Sequence, residues 1–276
     1  MTRVSPIHSR PSGTPVSDRE TIQVGNYAVP AELIRLTGCP AEIFESYGQD
    51  QFRRIQRELS ISPDDSILEI GCGVGRLAIP ATLFLNSSGQ YAGIDIIRES
   101  IDWCTENISS QHPNFRFTFV DVQSQLHNPS GKKHCADVVF PVADESVDKI
   151  FLSSVFTHML PDDVMHYLAK MSRALKRNGL VLTTMFLLNQ RSMASIESQT
   201  AQFSFPCTVS GYRQCRVQNY EVTEGAVAYY QESYLTMLYS NGFELKRPIQ
   251  PGHWSGAGAP DADGQDYVIF GKSLRH

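Results

Sequence analysis

The sequence predicts an α/β protein, a doubly wound and mostly parallel sheet with helices on both faces. Three observations carry that prediction. Short apolar runs that read as strands alternate with longer segments of helical period. The first run, Ser66 to Ile70, stops in a turn with glycines at 71, 73 and 75. The composition, 41% hydrophobic and 19% charged over 276 residues, is that of a soluble chain able to bury a large core.

Residues 1–20 are rich in Ser, Pro and charge, bury too little to offset their ordering entropy, and read as a flexible tail. Helical period over 31–36 and again over 39–59 predicts an N-terminal helical cap spanning 21–60. The second of these helices places Ile43, Phe44, Tyr47, Phe52, Ile55 and Leu59 on about one side. After the turn Ser62-Pro63-Asp64-Asp65 the main domain, 61–276, begins. Strands are expected at 66–70, 90–95, 115–120, 147–153 and 179–186, with helices at 75–85, 98–110 and 161–176 between them. A long loop over 122–146 separates the third and fourth strands. Residues 190–226 hold Phe203, Phe205, Tyr212 and Tyr220 without a clean period and read as an insertion. A helix over 229–240 stops at Asn241-Gly242. Strands at 243–248 and 266–271 flank the glycine-rich loop that precedes the C-terminus.

Charge and cysteine usage narrow the function. With 24 basic and 29 acidic residues, the net charge of −5 offers no field for a phosphate backbone, and nucleic acid is not an expected partner. The six cysteines are dispersed, with no CxxC spacing and no histidine set beside them, so no metal is expected. The N-terminus lacks the apolar core of a signal peptide, and no apolar run is long enough to cross a bilayer. The expectation is a cytoplasmic protein without a membrane partner.

The chemistry concentrates at the strand ends. A strand, a bare-backbone turn and a helix N-terminus make a cradle for a polar or anionic ligand group. The dinucleotide fingerprint requires a glycine where Arg76 stands, which disfavours a nicotinamide. Glu69 precedes the glycines, and the strand QYAGIDI ends in Asp95, where an acid can accept two hydrogen bonds from a ribose diol. A nucleoside-bearing ligand follows.

Four ordered segments, LEIGCGVG (68–75), GIDI (93–96), FPVADESVDKIFLSSVFTHM (140–159) and MSRALKRNGLVLTTMF (171–186), make the chain resemble the class I S-adenosylmethionine-dependent methyltransferases. The ending PGHWSG…GQDYVIFGKS is loosely similar to bacterial glycan and natural-product methyltransferases. The resemblance implies a Rossmann-like fold with a seven-stranded sheet whose last two strands form an antiparallel pair at the edge. It implies that helix 39–59 is a lid over the cofactor, where pattern alone equally allows a helix that only covers the sheet edge. It places the insertion 190–226 on the acceptor side. S-adenosyl-L-methionine is the implied cofactor. Gly71, Cys72, Gly73 and Gly75 would present backbone to its methionine end, Glu69 would organise the ammonium, and Asp95 the ribose. Ile96 would pack on the adenine face, Ser153 would close the fourth strand end, and Asp121 with Val122 would meet the adenine amino group. Asp137 is the rival to Asp121.

Methyl transfer needs an acceptor aligned with the methyl group, and a hydroxyl acceptor usually needs a base. His158 is one candidate, with a structural or cofactor-contacting role as its alternative. His253 is the other, beside Trp254, with packing of that indole onto the sheet edge as the alternative. Tyr212, Tyr220, Tyr229 and Tyr230 are candidates to line an acceptor pocket. Asp162 and Asp163 read as the first turn of a helix rather than metal ligands. The leading expectation is transfer to a small-molecule or sugar hydroxyl. N-methylation of a small molecule, a nicotinamide-dependent oxidoreductase on the same general fold, and a cofactor-binding module without turnover are the alternatives.

Overall fold

The computed structural model describes residues 20–124, 127–219, 225–256, 258 and 262–273. The expected flexible tail falls outside the described residues apart from Glu20, as does Tyr220. The described chain opens with a hairpin, β1 (Thr21–Val24) and β2 (Tyr27–Pro30), and then α1 (Ala31–Leu36). The hairpin is an addition to the expected all-helical cap. Its turn is Gly25-Asn26, with Gly25 in the left-handed region. The second cap helix, α2, spans Phe44–Leu59: Pro40 disfavours helical backbone at Cys39, and a single 3-10 turn over Ala41–Ile43 precedes the helix. Ser60, left-handed at φ 50, ends it.

From there strand and helix alternate: β3 (Ser66–Ile70), α3 (Ala78–Thr82), β4 (Gln90–Asp95), α4 (Arg98–Cys104), β5 (Phe115–Phe119), β6 (Val147–Leu152), α5 (Pro161–Ala174) and β7 (Leu175–Met185). Helix α3 is much shorter than expected, since the glycine turn occupies the chain up to Leu77. Helix α4 passes into a π-helical turn over Thr105–Ser109. After β8 (Leu187–Leu188) come α6 (Gln190–Glu197), β9 (Cys207–Val209), β10 (Tyr212–Val217), β11 (Val227–Tyr230), α7 (Gln231–Ser240), β12 (Phe243–Leu245) and β13 (Asp266–Lys272).

The main sheet has seven strands in the order β12-β13-β7-β6-β3-β4-β5. Neighbours from β7 to β5 are parallel, while β13 runs antiparallel to β7 and β12 antiparallel to β13, so the expected edge pair forms. Both faces are buried, which is why the strands read as nearly unbroken apolar runs. Leu68, Ile70, Ile150 and Val181 pack under α5 and α7, whereas Ile67, Tyr91, Phe151 and Leu182 pack with residues of α2 and α4. Strands β9 and β10 of the insertion join β8 and β11, which flank it, in a second sheet of order β8-β11-β10-β9, in which β8 and β11 pair in parallel. A third apolar cluster, Phe186, Leu188, Phe205, Ala228 and Trp254, joins this sheet to the loop before β13.

Candidate functional site

The glycine turn lies at the carboxyl edge of the sheet, where ligands of such folds bind. Backbone amides of Gly71 and Cys72 both donate to the Ile94 carbonyl, at 2.8 and 3.1 Å, fastening the turn to the end of β4. Gly71, Gly73 and Gly75 are all left-handed, at φ +79, +51 and +80, a conformation that L side chains rarely adopt. The Gly73 amide donates to Asp95 Oδ2 at 2.7 Å, and the Ile97 amide donates to Oδ1 at 2.9 Å. Asp95 therefore shapes the turn as well as standing where a ribose is expected. Burial pushes its carboxyl up, against the pull of the Gly73, Ile97 and Ile96 amides. Each of its oxygens retains a lone pair.

Glu69 lies 3% exposed on the α2 side of β3, where the Tyr91 phenol donates to Oε2. Burial pushes its carboxyl up to about 8. The Tyr91 hydrogen bond and the Arg76 charge pull it down, and Asp95 adds to the rise. A cation placed beside Glu69 would favour the ionised form. A left-handed turn of bare backbone, a carboxylate with open lone pairs, and half-buried Ile96 beyond it fit a nucleoside-bearing cofactor with a cationic end. Two expected contacts are restricted to backbone. The Cys72 thiol is buried against β4, with its pKa held well above the usual thiol range by desolvation, and Val122 is 3% exposed in the core. Asp121 lies two residues beyond β5 and accepts from Asn128 Nδ2 at 3.3 Å. Asp137, its rival, is exposed and accepts from the His134 amide within its own short turn.

Helix α2 crosses the far end of the turn. The Arg76 guanidinium sits 4.9 Å from the Tyr47 ring centroid. Gly48 makes that approach possible, since a Cβ there would stand 2.6 Å from the Arg76 carbonyl oxygen. Between α2, the ends of β6 and β7 and the loop before β13 lies a cavity of about 160 Å³, whose lining includes Tyr47, Gln51, Ser153, Thr184, Phe203 and Asp263. Its polar wall is interlocked. Tyr47 Oη donates to Asp263 Oδ1 at 3.2 Å and Tyr267 Oη donates to Oδ2 at 2.7 Å. Gln265 Nε2 donates to Ser154 Oγ at 2.9 Å, and Thr184 Oγ1 donates to Gln265 Oε1 at 2.5 Å. Burial and the Asp263 charge push the Tyr47 phenol up to about 12. A second cavity, about 300 Å³, opens among Leu187, Arg191, Gln231, Leu235, Leu245 and Asp266.

Neither candidate histidine is among the residues lining these cavities. His158 sits in the turn Phe156–His158 with its ring 6.3 Å from that of His127. His253 donates its backbone amide to the Asp263 carbonyl at 2.8 Å. Trp254 resolves to the packing alternative: it is fully buried between Phe186 and Phe205, and its indole N–H donates to Asp266 Oδ2 at 2.9 Å. Tyr212 donates to Asp162 and Tyr229 to the Met159 carbonyl, and neither they nor Tyr230 line either of these two cavities. Of the residues that line the smaller one, Tyr47, Ser153 and Phe203 figure in the sequence reading, whereas Gln51, Thr184, Asp263 and Gln265 do not. Gln51, a polar residue one turn beyond Tyr47 in an apolar stripe, was the available signal.

Residues 68–183 match the methyltransferase domain family. Over 117 residues the chain is 29% identical to a tRNA N(3)-cytidine methyltransferase METTL2 of Gallus gallus, covering 42% of this chain and 29% of that protein. Over 127 residues it is 25% identical to methyltransferase GfsG of Streptomyces halstedii, covering 46% of this chain and 40% of that one. The matches thus span less than half of these relatives. Among solved structures, a glycopeptide N-methyltransferase MtfA complexed with sinefungin, an S-adenosylmethionine analogue, superposes with a TM-score of 0.51 at 12% identity, over 82% of this chain and 87% of that one.

Proposed function

Residues 68–183 being a methyltransferase domain of the class I, S-adenosylmethionine-dependent type, we propose that the chain transfers a methyl group to a hydroxyl of a small molecule or sugar. The observation that carries this reading is the cavity itself, which abuts the glycine turn through Tyr47 and the β6 end through Ser153 and presents both polar groups and aromatic rings. When bound, S-adenosylmethionine supplies a methyl group on a sulfonium sulfur. The acceptor oxygen takes that methyl as the carbon–sulfur bond breaks, and its proton must leave. The chain's residues would hold the parts in line: Asp95 and the Gly73 region the nucleoside, Glu69 the ammonium, and Asp121 the adenine edge. Asp263 is the carboxylate on the cavity wall and would take the proton-accepting role for which His158 and His253 are the sequence candidates. Residues 190–226 would close the acceptor side, since their cluster supplies Phe186 and Phe203 with their packing partners.

The likeness to a tRNA-modifying enzyme supplies a second reading, an amine of a nucleobase in RNA. The net charge of −5 speaks against it, because phosphate recognition needs a basic face. Purified chain incubated with methyl-labelled cofactor and, separately, a metabolite extract or total tRNA decides between them. Label in the small-molecule fraction alone is expected, and label in tRNA alone refutes the hydroxyl reading.

A further inference from the structure

The larger cavity, about 300 Å³, has no part in the methyl-transfer reading and shares no lining residue with the smaller one. Trp254 stands between them, bonded to Asp266 of the larger cavity and packed on Phe186 of the smaller. Two charged residues line the larger cavity, and their situations differ. Asp266 is 4% exposed and accepts from the Gly252 and Leu187 amides, each at 2.8 Å, and from the Trp254 indole at 2.9 Å. Its charge is already met by three N–H donors. Arg191 is exposed on the first turn of α6, and among the described residues no acceptor meets its guanidinium. The same helix cap fixes a second donor. Asn189 Oδ1 accepts from the Arg191 and Ser192 amides at 3.0 Å each, so Asn189 turns its NH₂ to Gln231, whose Oε1 accepts at 3.0 Å. The NH₂ of Gln231 therefore points the other way, without an acceptor among the described residues and, on a half-buried side chain, not enclosed. Half-buried Leu235, Leu245 and Ile249 give the cavity an apolar wall.

We propose that the larger cavity is a second binding site, which takes a small amphipathic monocarboxylate: Arg191 and Gln231 Nε2 hold the carboxylate, and the apolar chain lies against Leu235, Leu245 and Ile249. A guanidinium offers the forked donors that a carboxylate accepts, and one unmatched positive charge suits a monoanion rather than a phosphate dianion. Aliphatic walls with a few placed donors are the usual make-up of a small-molecule site. The net charge of −5 gives the chain no general attraction for anions, so a preference for one is local. The site is independent of the methyltransferase reading and stands whether or not that reading does.

The probes are hexanoate, hexan-1-ol and hexylamine, which share one chain and differ in the head, titrated by ligand-observed NMR into the full chain with and without S-adenosylhomocysteine. Hexanoate is expected to bind about tenfold more tightly than hexan-1-ol, the size of one hydrogen bond to a charged group, and hexylamine more weakly than either. In Arg191→Gln the ratio of hexanoate to hexan-1-ol falls to about one. Gln231→Leu, which removes the second donor, lowers the ratio and serves if the first variant does not fold. S-adenosylhomocysteine leaves hexanoate bound, since the two cavities share no lining residue. Four results overturn the proposal: no preference for hexanoate in the native chain, a preference that survives Arg191→Gln, hexylamine as the tightest of the three, or displacement of hexanoate by S-adenosylhomocysteine, which assigns the binding to the cofactor site.

Discussion

Replacing Tyr91 by Phe removes one oxygen and leaves every ring contact in place, including the stack on Phe115 at 4.9 Å and 14°. The lost group is the phenol that donates to Glu69 Oε2, and both residues are buried. The carboxyl of Glu69 stands at about 8 in the folded chain, raised by burial, against an ordinary value of 4.5. The folded state therefore binds more protons than the unfolded state between those values, and this group's contribution makes stability fall as pH rises from about 4.5 to about 8. At about 1.4 kcal/mol per pH unit, the native chain should lose on the order of 3 kcal/mol from this source between pH 5.5 and 8. The Tyr91 bond favours the ionised form, so its removal raises the carboxyl further. At pH 5.5, where Glu69 is neutral in both proteins, Tyr91→Phe should cost about 1 kcal/mol, the net worth of a neutral hydrogen bond. At pH 8.5 it should cost about 2–3 kcal/mol, as for a bond to a charged group. Urea unfolding of both proteins at the two pH values measures the difference directly. Equal deficits at both, or a larger one in acid, would refute a Glu69 carboxyl raised by burial and restrained by Tyr91.

Two further outcomes follow from the same geometry. Because a ligand ammonium favours ionised Glu69, S-adenosylhomocysteine should bind more tightly as pH rises from 6.5 towards 8 with release of a proton, and calorimetry in buffers of different ionisation enthalpy would show a proton uptake or none if Glu69 has no such role. Trp254→Ala should destabilise the chain by about 3–5 kcal/mol, since it empties a fully buried site between two rings and leaves Asp266 one donor short, while His253→Ala should stay within about 0.5 kcal/mol. Chemical denaturation of the pair checks this, and a loss in His253→Ala as large as that in Trp254→Ala would contradict it.

The central sheet was legible because its strands are buried on both faces and the glycine turn marks one end of the first. Strand β4 falls on the expected residues, and β5 and β6 end one residue short of them. The second sheet was not legible, because its strands are short and partly exposed and its parallel pair joins Leu187 and Leu188 to Tyr229 and Tyr230 across the insertion. The candidate cradle could be located because Glu69, the glycines and Asp95 lie within one strand–helix–strand unit. The cavity wall could not, since Gln51 and Asp263 meet across 212 positions of sequence and Asp263 sits in a loop with no period. The PGHWSG stretch left two roles open for its indole, and the buried carboxylate of Asp266 with the rings of Phe186 and Phe205 gives it a core position.

The central claim is that the turn and Asp95 hold the nucleoside of S-adenosylmethionine. Calorimetric titration of the native chain and of Asp95→Ala with S-adenosylhomocysteine tests it, with thermal unfolding of the variant to show that it is folded. Binding at micromolar affinity or better, about −8 kcal/mol, and a loss of about a hundredfold in the folded variant are predicted, since two hydrogen bonds to a carboxylate are worth about 3 kcal/mol together. Undiminished binding by folded Asp95→Ala, or binding of NADH in place of the adenosyl ligand, would contradict it.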